Sequence, residues 1–375
     1  MLVLAGLLLL VTVLAADWVG RAPEEEPMYW LSGVSAWPTV IFRALCIGAG
    51  LVLFLLHFSH VAWGLDKIQE AFPDLADGTP AKGLEGSRLP RVIRCILPWV
   101  YLSPQEQRAE HVEVTLWRRY REMSRIDRTA LRIAFPTLML FLFYWFCGIN
   151  ENVYFNPVRG TESICWAKSL GTLSAFVICA LVALAVDQAR LCLSFARHLH
   201  KVDSKWEDTL KDSKIALDGG NPHEQSLAKA LPELFDLEVV GRVSDVISRA
   251  VYYPCVLLVL SMLGRVSLFD NWNWPMALVA LICIAFCSCI GAQWQMNASC
   301  VRIRGRYLEK LEVQWLSTSD KDLQSAIEYT KTRIQKLDIG AFRNFVETPL
   351  ARAMLLPLGG LSGVSLLQQL ATFYW

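Results

Sequence analysis

Residues 164–186 read ICWAKSLGTLSAFVICALVALAV, an apolar run of 23 residues whose one charge is Lys168. A helix needs about 20 mostly apolar residues to cross a bilayer, so this run predicts a membrane span, closed on its far side by Asp187 and Arg190. Five further blocks read the same way: 2–16, 39–64, 131–149, 250–267 and 275–294. The whole chain agrees with them, since 54% of its 375 residues are apolar, 19% are charged and its mean hydropathy is +0.35. The fold class expected is therefore an all-α integral membrane protein of about six transmembrane helices, with cytosolic helical extensions and a broken apolar C-terminal segment. Disorder, collagen and small disulfide scaffolds are excluded. With 36 Lys and Arg against 35 Asp and Glu, nothing points to nucleic acid as a partner.

Block 2–16 is short enough to be the core of a signal peptide, and Val13-Leu14-Ala15 resembles a cleavage site. No basic residue precedes it, which favours a retained first helix. Orientation follows from Lys and Arg. Connections 65–132, 187–249 and 295–375 hold thirty-one basic residues; 17–38, 150–163 and 268–274 hold only Arg21 and Arg159. The basic side is expected in the cytosol, with both termini there. Trp30, Trp37, Trp63, Trp145, Trp166 and Trp294, near span ends, predict interfacial belts.

The expected organisation is 1–64, two spans with an acidic outer loop (Glu24, Glu25, Glu26); 65–130, a cytosolic loop and amphipathic helix; and 131–186, spans three and four. A cytosolic helical hairpin follows at 187–249, then spans five and six at 250–294. Cytosolic helices occupy 295–347, and an apolar interfacial or re-entrant segment 348–375. Within the second unit, Ser103-Pro104-Gln105-Glu106 is a capped helix start, followed by Ala109, Val112, Leu116, Tyr120 and Met123 on one face of an amphipathic helix expected to lead directly into span three. Residues 89–99 predict a short basic segment on the inner leaflet. Span four is expected to continue as a helix to about Leu217, and a second helical stretch to be interrupted at Pro232. After span six, Leu308, Leu311 and Trp315, then Leu323, Ile327, Thr330, Ile334 and Leu337, form a short seam suited to packing on a neighbouring helix or on a second copy. Pro357 and Gly359, Gly360 and Gly363 break the last segment.

No decisive chemical motif is present, and neither catalytic residues nor a cofactor are expected. His57 and His60 share a helix face and His198 and His200 follow span four, but no Cys or acidic cluster completes a metal site. Gly360-Leu361-Ser362-Gly363 matches the Gly-x-Ser-Gly element of rhomboid-like intramembrane proteases; no His follows it, and close helix packing explains the small residues more simply. Cys283, Cys287 and Cys289 read as packing. Cys147 and Cys165, at the outer ends of adjacent spans, could form a disulfide in an oxidising compartment. The sequon Asn297-Ala298-Ser299 falls on the cytosolic side. The better pointers are charges within spans, which mark pathways or pairs. Arg43, Lys168 and Arg265 lie near the outer ends, snorkelling to headgroups or lining a cationic vestibule. Asp187 and Arg190, at the inner end of span four, would form an intrahelical pair or a gate.

Two stretches, 265–275 (RVSLFDNWNWP) and 340–360 (from Gly340-Ala341-Phe342 to Gly359-Gly360), resemble sequences of uncharacterised bacterial multi-pass inner-membrane proteins. The resemblance implies a bacterial inner membrane and carries no activity. The function expected is a non-enzymatic oligomeric channel, pore or membrane effector with partner-sensing cytosolic helices. The alternatives are a membrane-anchored scaffold that conducts nothing and, further off, an intramembrane enzyme using His57, His60 or Ser362. The partners implied are the lipid bilayer, a second copy of the chain and a cytosolic protein.

Overall fold

A computed structural model describes residues 37–75, 112–149, 161–201, 206, 231–250, 252–263 and 276–343, and every regular element among them is helical. In chain order these are α1 (Trp37–Ala71) with a 3-10 turn at Pro73–Leu75, α2 (Val112–Ser124), α3 (Ile126–Ile149), α4 (Thr161–Leu199), α5 (Pro232–Ala250), α6 (Tyr252–Leu263), α7 (Met276–Ser317) and α8 (Lys321–Gln335). A last 3-10 turn spans Gly340–Phe342. Four helices, α1, α3, α4 and α7, are long and apolar enough to cross a membrane, within Ala44–Ala71, Ile126–Phe146, Thr172–Leu199 and Val279–Ser317. They match four of the six expected spans. The first expected span lies outside the described residues, and the fifth is described only as the 12-residue α6.

The quoted stretch that predicts the fold is also its hub. α4 touches α1, α2, α3, α5, α6 and α7, and 72% of its apolar window is buried, against 22% for α3. Its small residues let neighbours in closely; where α1 passes α4, a Cβ on Gly50 would stand 2.5 Å from a methyl of Val177. α3 instead turns Leu131, Phe135, Leu138, Leu142 and Phe146 outward at helical spacing, the surface a bilayer or another apolar body would cover. Trp63, Trp145 and Trp294 are likewise exposed.

Two cores lie end to end along α4. The apolar half is built on Ala175, Ile178, Cys179, Leu181, Val182 and Ala185, with Cys46, Leu257, Leu281 and Cys289 around them. The polar half is built on Leu191, Cys192, Phe195 and Leu199, packed by Val61, Leu116, Trp117, Leu237, Tyr307 and Ile327. The seam after the sixth block belongs to this second core: α8 folds back on α7 and α5 and buries Ala326, Ile327, Thr330 and Ile334. That seam is used within the chain. Asp320 caps α8, accepting the amide of Asp322 at 3.0 Å.

Two local expectations change. α2 does not run unbroken into α3 but bends at Arg125. α4 ends at Leu199, well before Leu217; its last turn tightens as the Lys201 amide donates to the His198 carbonyl, and Trp206 is part of the polar-half core. Pro232 opens α5; the helical stretch expected before it, from His223, lies outside the described residues. Proline suits that position because the missing N–H would have no helical partner there.

Candidate functional site: a buried polar layer between two cores

The bend at Arg125 leaves the Met123 carbonyl open to side chains from the start of α3. Thr129 Oγ1 donates to it at 3.2 Å and Arg132 Nη2 at 2.8 Å. This fixes Arg132 on the second turn of α3, facing α4, with Nη2 also 3.2 Å from Thr129 Oγ1. From there its guanidinium grips Asp187 as a fork: Nε to Oδ1 at 3.0 Å and Nη2 to Oδ2 at 2.8 Å. Both side chains are almost wholly buried. Such a pair is favourable only when geometry and additional hydrogen bonds offset the lost hydration, and here Nη2 is shared with the Met123 carbonyl and the Thr129 hydroxyl while Nη1 donates to Met123 Sδ at 3.6 Å. Gln188, next to Asp187 and fully buried, completes the cluster by donating Nε2 to Thr129 Oγ1 at 3.3 Å.

The cluster sits where α4 passes from one core to the other, between Ala185 and Ala189. The same transition is polar on other helices. On α1, His57 lies between Cys46 of the apolar half and Val61 of the polar half. On α7, Gln293 lies between Cys289 and Met296. Ser248, at the end of α5, falls between Ile247 and Cys255. All three are buried, and Gln293 Nε2 donates to Ser248 Oγ at 2.8 Å. The His57 ring meets Tyr253 edge-on with centroids 5.8 Å apart. A polar layer thus crosses the bundle at the joint between its cores. It is incompletely satisfied: His57 Nε2, Gln188 Oε1 and Gln293 Oε1 have no hydrogen-bond partner among the described residues. Buried polar atoms left open in this way are costly and call for an explanation, such as water or an ion.

Beneath the layer, the polar-half core closes on Asp236 of α5. Its buried carboxylate accepts Trp206 Nε1 at 3.0 Å and Tyr307 Oη at 2.8 Å, while Phe72 and Phe235 meet the Trp206 ring edge-on. His200 stacks edge-on against Tyr307, centroids 5.0 Å apart. Burial first, then the nearby charges of Arg306, Lys310 and Lys201, make His200 harder to protonate than an ordinary histidine. Complete burial raises the Tyr120 phenol well above its usual range, with Cys192 adding to the effect, so Tyr120 is a neutral core residue. The Gly340–Phe342 turn docks on α5 through Ser244, whose Oγ accepts the Ala341 amide and donates to the Gly241 carbonyl, each at 2.8 Å. Gly340 has φ +57°, and a Cβ there would lie 2.1 Å from the Gly241 oxygen.

Of the residues singled out in the sequence, Asp187 is in the layer, but its partner is Arg132 of α3 and not Arg190. Arg190 is on the exposed face of α4, and a buried carboxylate is matched only by a cation buried with it. The side chains of Arg43, Lys168, Cys147 and Cys165, and all of Arg265 and Ser362, lie outside what is described. No group of three His, Cys, Asp or Glu that could hold a metal occurs among the described residues. Sequence reading placed Arg132 in a connection, although Leu131 precedes it and Ile133-Ala134-Phe135 follow, an apolar setting that signals burial. Gln293 and Ser248 carried no signal of their own. No protein-family model matches the chain, and no curated protein matches it.

Proposed function

We propose that the chain is a non-enzymatic multi-pass protein of the bacterial inner membrane, acting as an oligomeric channel, pore or membrane effector whose gate is the polar layer. The observation that carries this reading is the set of unmatched polar atoms, Gln188 Oε1, Gln293 Oε1 and His57 Nε2, inside helices otherwise built for a bilayer. Polar groups at such depth face pathways or one another, and these are only partly matched by one another. The thirty-one to two distribution of basic residues favours a cytosolic polar half and cytosolic termini. In that placement α5, the far end of α7 and α8 are the parts a soluble partner reaches, and the shared core of α4 and α7 carries its effect to the layer.

The test is purified full-length protein in planar bilayers, with single-channel current as readout. Wild type is expected to conduct, and Gln188→Leu and Gln293→Leu to lower unitary conductance. Silence of every oligomeric form sinks the pore. A membrane-anchored scaffold is the second reading, favoured by Val313 and Leu316, which stand 61% and 70% exposed near the end of α7 where a partner helix could cover them.

A further inference from the structure

α7 leaves one side uncovered along most of its length. Cys283, Cys287, Trp294, Val301, Gly305 and Leu316 are all exposed. They recur at intervals of four, seven or eleven residues, and at about 100° per residue they fall within about 60° of arc. The two cysteines lie along the stretch of α7 that packs into the apolar half, through Leu281, Ala285 and Cys289. Val301, Gly305 and Leu316 lie along the stretch that packs into the polar half, through Cys300, Tyr307 and Leu311. The side chains left open are large: Trp294, Val301 and Leu316 are 61%, 43% and 70% exposed. Gly291, Ala298 and Gly305 follow one another every seven residues on the same side, and among the described residues nothing comes within 4 Å of a methyl added to either glycine.

From Cys283 to Leu316 this face runs about 50 Å. The hydrocarbon of a bilayer, about 30 Å deep, covers only part of it, and a soluble partner reaches only the rest. We propose that a second copy of the chain covers the face, with α7 packed against its own counterpart about a two-fold axis along the membrane normal. Copies inserted in one bilayer share an orientation, so this axis sets the two α7 helices side by side in the same direction, each residue of the face beside its counterpart. A second α7 carries the same apolar face over the same length, in the bilayer and beyond it. Small residues every seven positions let the two backbones approach, and Trp294 and Val301 between them fill the seam. This names the interface of the oligomer proposed above and rests on the membrane placement, not on conduction.

Full-length protein in liposomes is oxidised with copper phenanthroline and separated without reductant. Wild type is expected to give a band at twice the chain's 42.3 kDa through Cys283 and Cys287, and Cys283→Ser with Cys287→Ser to weaken that band at least fivefold. In the double-serine background Gly305→Cys and Leu316→Cys are expected to restore it, and Glu70→Cys, exposed on α1, to leave it weak. Dilution of fluorescently labelled protein in the same liposomes gives the dissociation constant of the dimer, which Gly291→Leu with Gly305→Leu is expected to raise at least tenfold. An unchanged far-ultraviolet circular dichroism spectrum certifies each variant as folded. Absence of the doubled band from both Gly305→Cys and Leu316→Cys, a band of equal strength from Glu70→Cys, or a dissociation constant that the two leucines leave unchanged overturns the proposal. A product of another mass in cell membranes puts a different protein on the face and overturns it as well. Current is read separately: a doubled band without conduction removes the pore and keeps the interface, and conduction without the band does the reverse. Failure to insert into liposomes removes the membrane placement, and this two-fold contact with it.

Discussion

Two consecutive stretches of α4, 175–185 and 189–199, lie on one helix and are both largely buried, yet their surroundings differ. The buried residues around the first are mainly Ala, Val, Ile, Leu and Cys, with aromatics such as Phe54, Phe141 and Tyr252 only partly buried at its margin. The second is packed by aromatics, Trp117, Tyr120, Phe195, Trp206 and Phe235, and closes around the hydrogen-bonded Asp236. In the proposed placement the first stretch lies against lipid, where apolar burial gains little from leaving water, so it would depend on close fit between helices. The second would then be assembled as a water-soluble core is, by removing large apolar surfaces from water and satisfying the polar groups carried in with them. The polar layer marks the change of regime.

The sharpest way to break this contrast is to remove an aromatic from the second stretch's core. Trp206→Ala is expected to lose about 4 kcal/mol, read as a loss of midpoint in thermal unfolding followed by circular dichroism in mild detergent. A loss under about 1 kcal/mol would mean that Trp206 is not part of a cooperative core. At the joint, Asp187→Asn is expected to lose about 3 kcal/mol by leaving Arg132 buried without its counter-charge. Arg132→Met combined with Asp187→Leu should come back to within about 1 kcal/mol of wild type. If the single substitution is silent, the joint is hydrated and the layer is an open cavity. The same truncation can then be compared on both sides: Leu237→Ala should lose about 3 kcal/mol through transfer and cavity terms together, and Leu181→Ala about half of that, through the cavity alone. Equal losses would erase the distinction between the halves. The smallest effect is electrostatic. Folded His200 binds its proton less readily than the unfolded chain, whose histidine titrates near pH 6.5. Between the lowered folded value and 6.5 the unfolded state holds more protons, so stability declines as pH drops below about 6.5. His200→Gln should flatten that acid slope without moving the midpoint at pH 8.

The apolar helices were legible because each is a continuous run, and α1, α3, α4 and α7 fall where the blocks 39–64, 131–149, 164–186 and 275–294 put them. The joint was not. Arg132 and Asp187 are 55 residues apart, and pairing across helices leaves no periodic trace. The sequence offered Arg190 as the nearer cation, but proximity along a helix says nothing about which face is covered. Trp206 was hidden for a related reason: an isolated aromatic in a charged stretch (Lys205, Glu207, Asp208) reads as solvated until a carboxylate from α5 is found beside it. The seam on α8 was read correctly as a packing surface, and only its partner, α7 or a second copy, needed coordinates.

At about 1.5 Å per residue the 42 residues of α7 make a shaft some 63 Å long, twice the depth of a bilayer's hydrocarbon. A twist applied at its distal tip therefore arrives at the opposite end unless the shaft yields along the way. Two glycines supply that compliance. Among the described residues nothing comes within 4 Å of where a methyl on Gly291 or Gly305 would stand, so no described neighbour requires them to be small, and each softens the rod relative to alanine. One is two residues from Gln293 and the other two residues from Tyr307, which puts the torsional weak points of the longest helix beside the two places where the interior is polar.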